Sequence, residues 1–284
     1  MKILHLSEET YRRFIGGSGL AAKLFWDRAD FSADPLSPEA LLILTNGPLT
    51  GIKLSGASRM NATARSPLTG GLAESSCGGY FPPALRRTGY DGLIISGRAP
   101  RPSLLLIDHQ SVTIKDAGSL WGRGIMECTA DLQKTYGKKS TALVIGPAGE
   151  NLVPFACILN EAHHAFGRCG MGAVMGSKNL KALVVQPGAG ELSLADPQRI
   201  KSLIRELQPR IKDYLISQVL HDYGTSGNLE GHMYDGDVPM RNWTSNFDEE
   251  MASALTGSTL SETYLKKTST CAYCAVACKR IVQV

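Results

Sequence analysis

An α+β chain, rich in strands through residues 1–187 and mainly helical over 188–284, is what the sequence predicts. Three patterns carry that reading. Short apolar runs end repeatedly at glycine or proline, as buried strands do. Apolar residues recur at helical spacing in three longer stretches. The texture changes after Val185-Gln186-Pro187-Gly188-Ala189-Gly190, where Asp196-Pro197 has the form of an N-cap followed by an N1 proline.

In chain order, Tyr11, Phe14, Ile15, Leu20, Leu24 and Phe25 make residues 8–26 a helix with a glycine joint, Gly16-Gly17-Ser18-Gly19. No convincing strand precedes the joint and no Gly-Lys-Ser/Thr follows it, so it reads as tight packing of the helix on a sheet rather than as a phosphate loop. Asp34-Pro35-Leu36-Ser37-Pro38 turns the chain into a strand, Leu41-Leu42-Ile43-Leu44, which stops at Gly47-Pro48. Between Gly47 and Gly79, short alternating strands are separated by glycine and proline. Its glycine pairs either make hairpin turns or leave backbone groups bare for a large polar cofactor. Strands follow over 90–97 and 103–107, with Val112-Thr113-Ile114 as a hairpin edge, and then a helix over 122–136 carrying Ile125, Cys128, Thr129 and Leu132 on one face.

Ala142-Leu143-Val144-Ile145-Gly146-Pro147 then echoes Leu42-Ile43-Leu44-Thr45-Asn46-Gly47-Pro48, and the glycine-rich run from Gly167 to Gly176 echoes the region from Gly70 to Gly79. Such a duplication would set two glycine-rich loops on opposite sides of one ligand. Ile200, Leu203, Ile204, Leu207 and Ile211 form a helix reaching about Leu220; a polar loop spans 223–248; a short helix over 258–267 leads to the final cysteines.

A net charge of +4 is too weakly basic to point to nucleic acid. No run approaches the roughly 20 apolar residues that cross a bilayer, and the N-terminus lacks the long apolar core of a secretory signal. No membrane contact is expected, and the cysteine usage fits a reducing compartment, the cytoplasm. Three of the seven cysteines lie in Cys271-Ala272-Tyr273-Cys274-Ala275-Val276-Ala277-Cys278. Thiolates at this spacing can face one centre from a loop and a helical turn, the donor set of an iron-sulfur cluster or, less often, of zinc. Three thiols in eight residues make mere small buried hydrophobes the weaker explanation. A fourth ligand is missing.

Gly47-Pro48-Leu49-Thr50-Gly51, Ser66-Pro67-Leu68-Thr69-Gly70, Gly89-Tyr90-Asp91-Gly92, Ile145-Gly146-Pro147-Ala148-Gly149-Glu150-Asn151-Leu152-Val153 and Gly172-Ala173-Val174-Met175-Gly176-Ser177-Lys178-Asn179-Leu180-Lys181-Ala182 together resemble the aldehyde ferredoxin oxidoreductase family, from about Gly16 to Cys278. The resemblance implies an N-terminal domain of two β-sheets with flanking helices, the base for a tungsten or molybdenum bis-pterin cofactor, followed by the start of a mainly helical domain. It implies oxidation of aldehydes to carboxylic acids, with electrons leaving through a 4Fe-4S cluster to ferredoxin or another electron-transfer protein. It puts the cluster on Cys271, Cys274 and Cys278, and pterin and phosphate contacts on Arg59, Gly78, Gly79, Gly167 and Arg168. Mg2+ would meet the carbonyls of Ser76 and Ala165.

The family's best-known members carry asparagine where this chain has Ser76, a change a carbonyl ligand tolerates, and arginine where it has His164, a change that weakens one phosphate contact. The family's acid-base residues and fourth cluster cysteine belong to later domains, so no catalytic residue is assigned. Asp237, Asp248, Glu249 and Glu250 read as solvated loop charges. The chain by itself is expected to be inactive, completed by another chain or by further sequence, or assembled as a homo-oligomer. Two alternatives stand beside this reading: a non-catalytic iron-sulfur or cofactor-holding protein, and a related enzyme that reduces aromatic acyl thioesters.

Overall fold

The computed structural model describes residues 2–161, 163–186, 188 and 190–283. Two compact units appear, one of residues 1–52 with 57–193 and one of residues 53–56 with 194–284. The domain change expected between 187 and 188 falls beside Pro187, which lies outside the described residues.

The first unit begins with α1 (Glu8–Phe14), α2 (Gly17–Arg28), β1 (Leu42–Asn46), β2 (Met60–Arg65), β3 (Leu72–Cys77), α3 (Phe81–Arg87) and β4 (Gly92–Ile95). A hairpin of β5 (Ser103–Ile107) and β6 (Val112–Asp116) follows. Then come α4 (Ile125–Tyr136), β7 (Thr141–Val144), α5 (Pro147–Glu150), β8 (Ile158–Asn160), β9 (His164–Phe166), α6 (Met171–Gly176) and β10 (Leu180–Val185). The helix expected over 8–26 is two helices, because Ile15 at φ 62° and Gly16 at φ 156° both leave the helical region. Gly16 also sits close to the end of β1: a Cβ there would lie 3.1 Å from the Asn46 carbonyl oxygen. With Thr45 Oγ1 donating to the Gly17 carbonyl at 2.9 Å, the joint seats α2 on the sheet.

Two sheets form, ordered β3-β2-β1-β4 and β6-β5-β10-β7-β8-β9. One pattern occurs in both. A helix leads into an antiparallel meander of three strands, a second helix follows, and a last strand returns to pair antiparallel with the first: α2-β1-β2-β3-α3-β4, then α4-β7-β8-β9-α6-β10 with α5 inserted. The sequence echo is therefore a repeated topology, and strand register corrects its alignment. Leu44 and Leu143 hold the same place before their Gly-Pro pairs. Leu44 pairs with Ala62 and Ala62 with Ser75; Leu143 pairs with Asn160 and Asn160 with His164. Ser76 thus matches Ala165 and Gly78 matches Gly167, so the run from Gly167 corresponds to the chain after Gly78, not to Gly70–Gly79.

Period-2 alternation explains why the strands read as unbroken apolar runs: both faces are buried. Leu42, Leu44, Leu143, Ile145, Leu183 and Val185 enter one cluster shared by the two sheets, together with Phe81, Phe166 and Met171. Ile43 faces the other way, onto Leu20, Leu24 and Phe25 of α2. Val144, Ala182 and Val184 face Cys128 and Leu132 of α4. The architecture is α+β with helices flanking two sheets.

The second unit holds α7 (Pro197–Asp213), α8 (Leu215–Tyr223), α9 (Leu229–Tyr234), α10 (Glu249–Ala254), α11 (Gly257–Thr263), β11 (Leu265–Ser269) and β12 (Lys279–Val282). Asp196 caps α7, accepting from the Arg199 amide at 2.9 Å. The helix expected to reach Leu220 breaks at Tyr214, whose φ of −68° and ψ of 130° are extended. The expected polar loop contains α9, and the helix expected up to residue 267 ends at Thr263. Beyond it β11 and β12 pair antiparallel and enclose the cysteines, where a helical turn was expected. That pairing depends on Ile281 and Val282 meeting Lys267 and Leu265, partners that no local periodicity announces.

Candidate cofactor platform and thiol site

Arg59, exposed just before β2, donates from Nε to Ser76 Oγ at 3.0 Å and from Nη2 to the Ser76 carbonyl at 3.2 Å. A guanidinium carries five N–H donors, so the fork retains capacity for an anion. Strand alternation places Ser76 on the exposed side of β3 and buries Ala73, Ser75 and Cys77. Past the strand, Gly78 and Gly79 are buried. The Gly78 carbonyl accepts from Asn160 Nδ2 at 2.6 Å, and the Gly79 carbonyl accepts from Ser58 Oγ. Gly79 has φ 100°, and a Cβ there would overlap the Asn160 amide and the Glu161 carboxylate, so only glycine fits. The Tyr80 amide donates to that carboxylate at 3.0 and 3.2 Å.

The matching strand β9 carries Ala165, exposed, and leads to exposed Gly167 and Arg168. Its end lies against β3. The Arg168 amide donates to Ser75 Oγ at 3.5 Å, and Cys169 Sγ donates to the Glu74 carbonyl at 3.4 Å. Cys157 Sγ donates to the Gly167 carbonyl at 3.4 Å. The structure thus gathers Arg59, Ser76, Gly78 and Gly79 with Gly167 and Arg168 around one strand junction. His164 is buried behind it, Nδ1 3.8 Å from Glu161 Oε2.

Sequence reasoning missed Ser58, Asn160 and Glu161. Asn160 is fully buried, and among the described residues its Oδ1 has no hydrogen-bond partner. Such an orphan costs about 1–3 kcal/mol, so its place beside Gly78 is a mark of a polar site. The one signal available was a buriable asparagine closing the apolar Ile158-Leu159. Exposed Arg59 and Arg168, the exposed backbone at Gly167 and the orphaned Asn160 oxygen suit a large anionic ligand with polar edges.

In the second unit the strands closing at Ser269 and Lys279 frame the thiol loop. Cys271, Cys274 and Cys278 are half-buried. A turn links the Cys274 amide to the Cys271 carbonyl at 3.1 Å. Thr270 Oγ1 donates to the carbonyls of Cys271 and Cys274 at 3.0 and 2.8 Å. Tyr273 and Ala277 hold left-handed φ values of 63° and 52°, a strain of order 1–3 kcal/mol each that only a firmly held loop sustains. Among the described residues, no three His, Cys, Asp or Glu side chains are gathered as a single-ion site. A multi-iron cluster does not ask for that convergence, since each thiolate takes its own iron. The soft donors on a closed, partly accessible loop fit such a cluster. The remaining cysteines direct their thiols at carbonyls of the first unit, and burial pushes the Cys128 thiol up. No fourth ligand is identified among them.

Comparison with known proteins supplies the relatives. A family profile described as "Aldehyde ferredoxin oxidoreductase, N-terminal domain" matches residues 1–187, and one described as "Aldehyde ferredoxin oxidoreductase, domains 2 & 3" matches residues 202–284. The tungsten-containing aldehyde ferredoxin oxidoreductase of Pyrococcus furiosus is 36% identical over 283 residues, covering 99% of this chain and 46% of that protein. The WOR-like subunit of the aliphatic sulfonate oxidoreductase of the same organism is 34% identical over 301 residues, covering 99% and 47%. Among solved structures, the active site complex BamBC of benzoyl coenzyme A reductase with 1,5-dienoyl-CoA is similar at a TM-score of 0.84 and 28% identity, covering 99% of this chain and 45% of that one. The chain spans about half the length of these relatives. Among the described residues no helix is long and apolar enough to cross a membrane.

Proposed function

Because this chain belongs to the aldehyde ferredoxin oxidoreductase family, we propose that it is the cofactor-holding part of a tungsten or molybdenum bis-pterin enzyme. That enzyme oxidises aldehydes to carboxylic acids in the cytoplasm and passes the electrons through a 4Fe-4S cluster to ferredoxin. One observation supports this above the rest: the platform's positions come in topological pairs, Ser76 with Ala165 and Gly78 with Gly167, on strands that meet. A paired site suits a ligand with two like halves.

Arg59 and Arg168 would hold the pterin phosphates, for which a planar guanidinium fork is suited. Gly78, Gly79 and Gly167 would present backbone to the pterin edges. The Ser76 and Ala165 carbonyls offer the oxygen ligands that Mg2+ prefers. Since Arg59 already contacts both Ser76 oxygens, an anion drawn to its guanidinium also orients that carbonyl. Cys271, Cys274 and Cys278 would bind the cluster. When bound, these groups supply the conversion of aldehyde and water to acid, two protons and two electrons, and the relay of those electrons outward. This chain's residues hold and orient, and none acts on the substrate proton.

A second reading keeps the same scaffold and cofactors but reduces an aromatic acyl thioester, which the similarity to the BamBC complex favours. Metal analysis of anaerobically purified protein tests both. Tungsten or molybdenum with pterin, alongside iron and sulfide, is expected; Arg59→Ala with Arg168→Ala should lose pterin and keep iron. Zinc alone would overturn both readings. Reduction of ferredoxin by an aldehyde, set against turnover of an aromatic acyl-CoA by the completed enzyme, separates them.

A further inference from the structure

The turn that carries Cys274 is held from a distant part of the chain. Lys53–Gly56 lies between β1 and β2 in sequence but belongs to the second unit. From it Ser55 Oγ accepts a hydrogen bond from the Ala275 amide at 2.8 Å, and the Ser55 amide donates to Gln208 Oε1 at 3.3 Å. Gln208, on α7, closes the circuit by donating from Nε2 to the Tyr273 carbonyl at 3.4 Å. His221, on α8, donates from Nδ1 to the Val276 carbonyl at 2.8 Å; a carbonyl accepts only, so Nδ1 carries the proton. Residue 273 just before the second cysteine, and residues 275 and 276 just after it, are each tied by a side chain.

With a cluster bound by these thiolates, the backbone amides beside each cysteine would be the nearest donors for its sulfurs. Hydrogen bonds to those sulfurs, together with solvent exposure and net charge, set a cluster's potential. An added N–H donor stabilises the more negative reduced form and so raises that potential. Here the first such amide after Cys274 is already engaged, by Ser55 Oγ. Resting on the cluster assignment above, we propose that Ser55 is a positioning residue that withholds the Ala275 N–H from the cluster and so keeps its potential low, with Gln208 fixing the orientation of Ser55. A low potential is what donation to a low-potential acceptor requires.

The test uses the anaerobically purified, iron-loaded chain and its Ser55→Ala and Ser55→Thr variants. Redox titration followed by EPR should show an upward shift of midpoint potential in Ser55→Ala and none in Ser55→Thr, which keeps the hydroxyl. In Ser55→Ala, a new exchangeable-proton coupling to the reduced cluster should appear by ENDOR, a signature that mere loosening of the loop would not produce. An unmoved potential in Ser55→Ala, or an equal shift in Ser55→Thr, overturns the proposal while the iron-bearing loop stands. An unsubstituted chain that binds zinc or no iron overturns the cluster assignment, and this proposal with it.

Discussion

The two units hold themselves together differently. In the first, strands are buried on both faces, and even Lys178 and Lys181 are interior, at 2% and 0% exposure. In the second, among the described residues, α7 and α8 contain no buried residue, and the apolar cluster is Met233, Met240 and Ala252 with Val238 against it. Tyr214, Leu215, Tyr234 and Trp243 are exposed there. Burial therefore dominates the first unit, whereas the second, with a smaller apolar cluster, adds caps at Asp196, Asp248 and Thr256 and the ties on the thiol loop. A metal bound by those thiols would stabilise the second unit in proportion to its affinity.

The contrast can be broken most sharply at Lys181, which pairs with Glu150 and donates to the Arg123 carbonyl at 2.9 Å. Lys181→Met should cost the first unit about 3–5 kcal/mol in urea unfolding, by stranding a buried carboxylate, and adding Glu150→Leu should recover most of it. A loss below about 1 kcal/mol would mean that burial is not what holds this unit.

Lys178 gives a smaller, pH-dependent effect. Desolvation, with Arg98 nearby, lowers its ammonium from 10.5 to about 8, opposed weakly by Glu39. Between those values the folded state holds fewer protons than the unfolded one, so stability rises as pH climbs from about 8 to 10.5, by on the order of 3 kcal/mol. Below pH 8 the penalty is present in full. Measuring stability across this window in the natural chain and in Lys178→Met should show the slope in the first and its loss in the second.

In the second unit the expected costs shrink. Asp196→Ala removes the cap of α7 and should lower that unit's stability by about 1 kcal/mol. Ile204→Ala, on a helix without buried residues, should cost less than about 1 kcal/mol in the same denaturation experiment, against the 2–5 kcal/mol of a core isoleucine. A core-sized loss at Ile204 would erase the distinction between the units.

Much of the first unit could be read from the chain because its apolar runs are local signals: β1, β5 and β7 coincide with Leu42-Ile43-Leu44, Leu104-Leu105-Leu106 and Ala142-Leu143-Val144. The repeat was also visible, but only at its Gly-Pro ends, since register lies in pairings across strands and not along one. The platform residues Arg59, Ser76, Gly78, Gly167 and Arg168 were nameable through a resemblance. Asn160 and Ser58, which grip the glycine carbonyls, were not, because the only local cue is the place of Asn160 after Ile158-Leu159, and their partners lie on distant segments.

By itself the sequence determined the strand and helix periods, the spacing of Cys271, Cys274 and Cys278, and the glycines where no Cβ can fit, because each follows from a residue's own stereochemistry or donor atoms. Tertiary structure alone decided that Ser76 and Ala165 are counterparts, that β11 and β12 enclose the thiols, and that Ser55 reaches Ala275 from 220 positions away. Those facts depend on hydrogen bonds between segments far apart in the chain. A bond of that kind leaves no period to read, only a serine or an asparagine whose partner appears when the chain has folded.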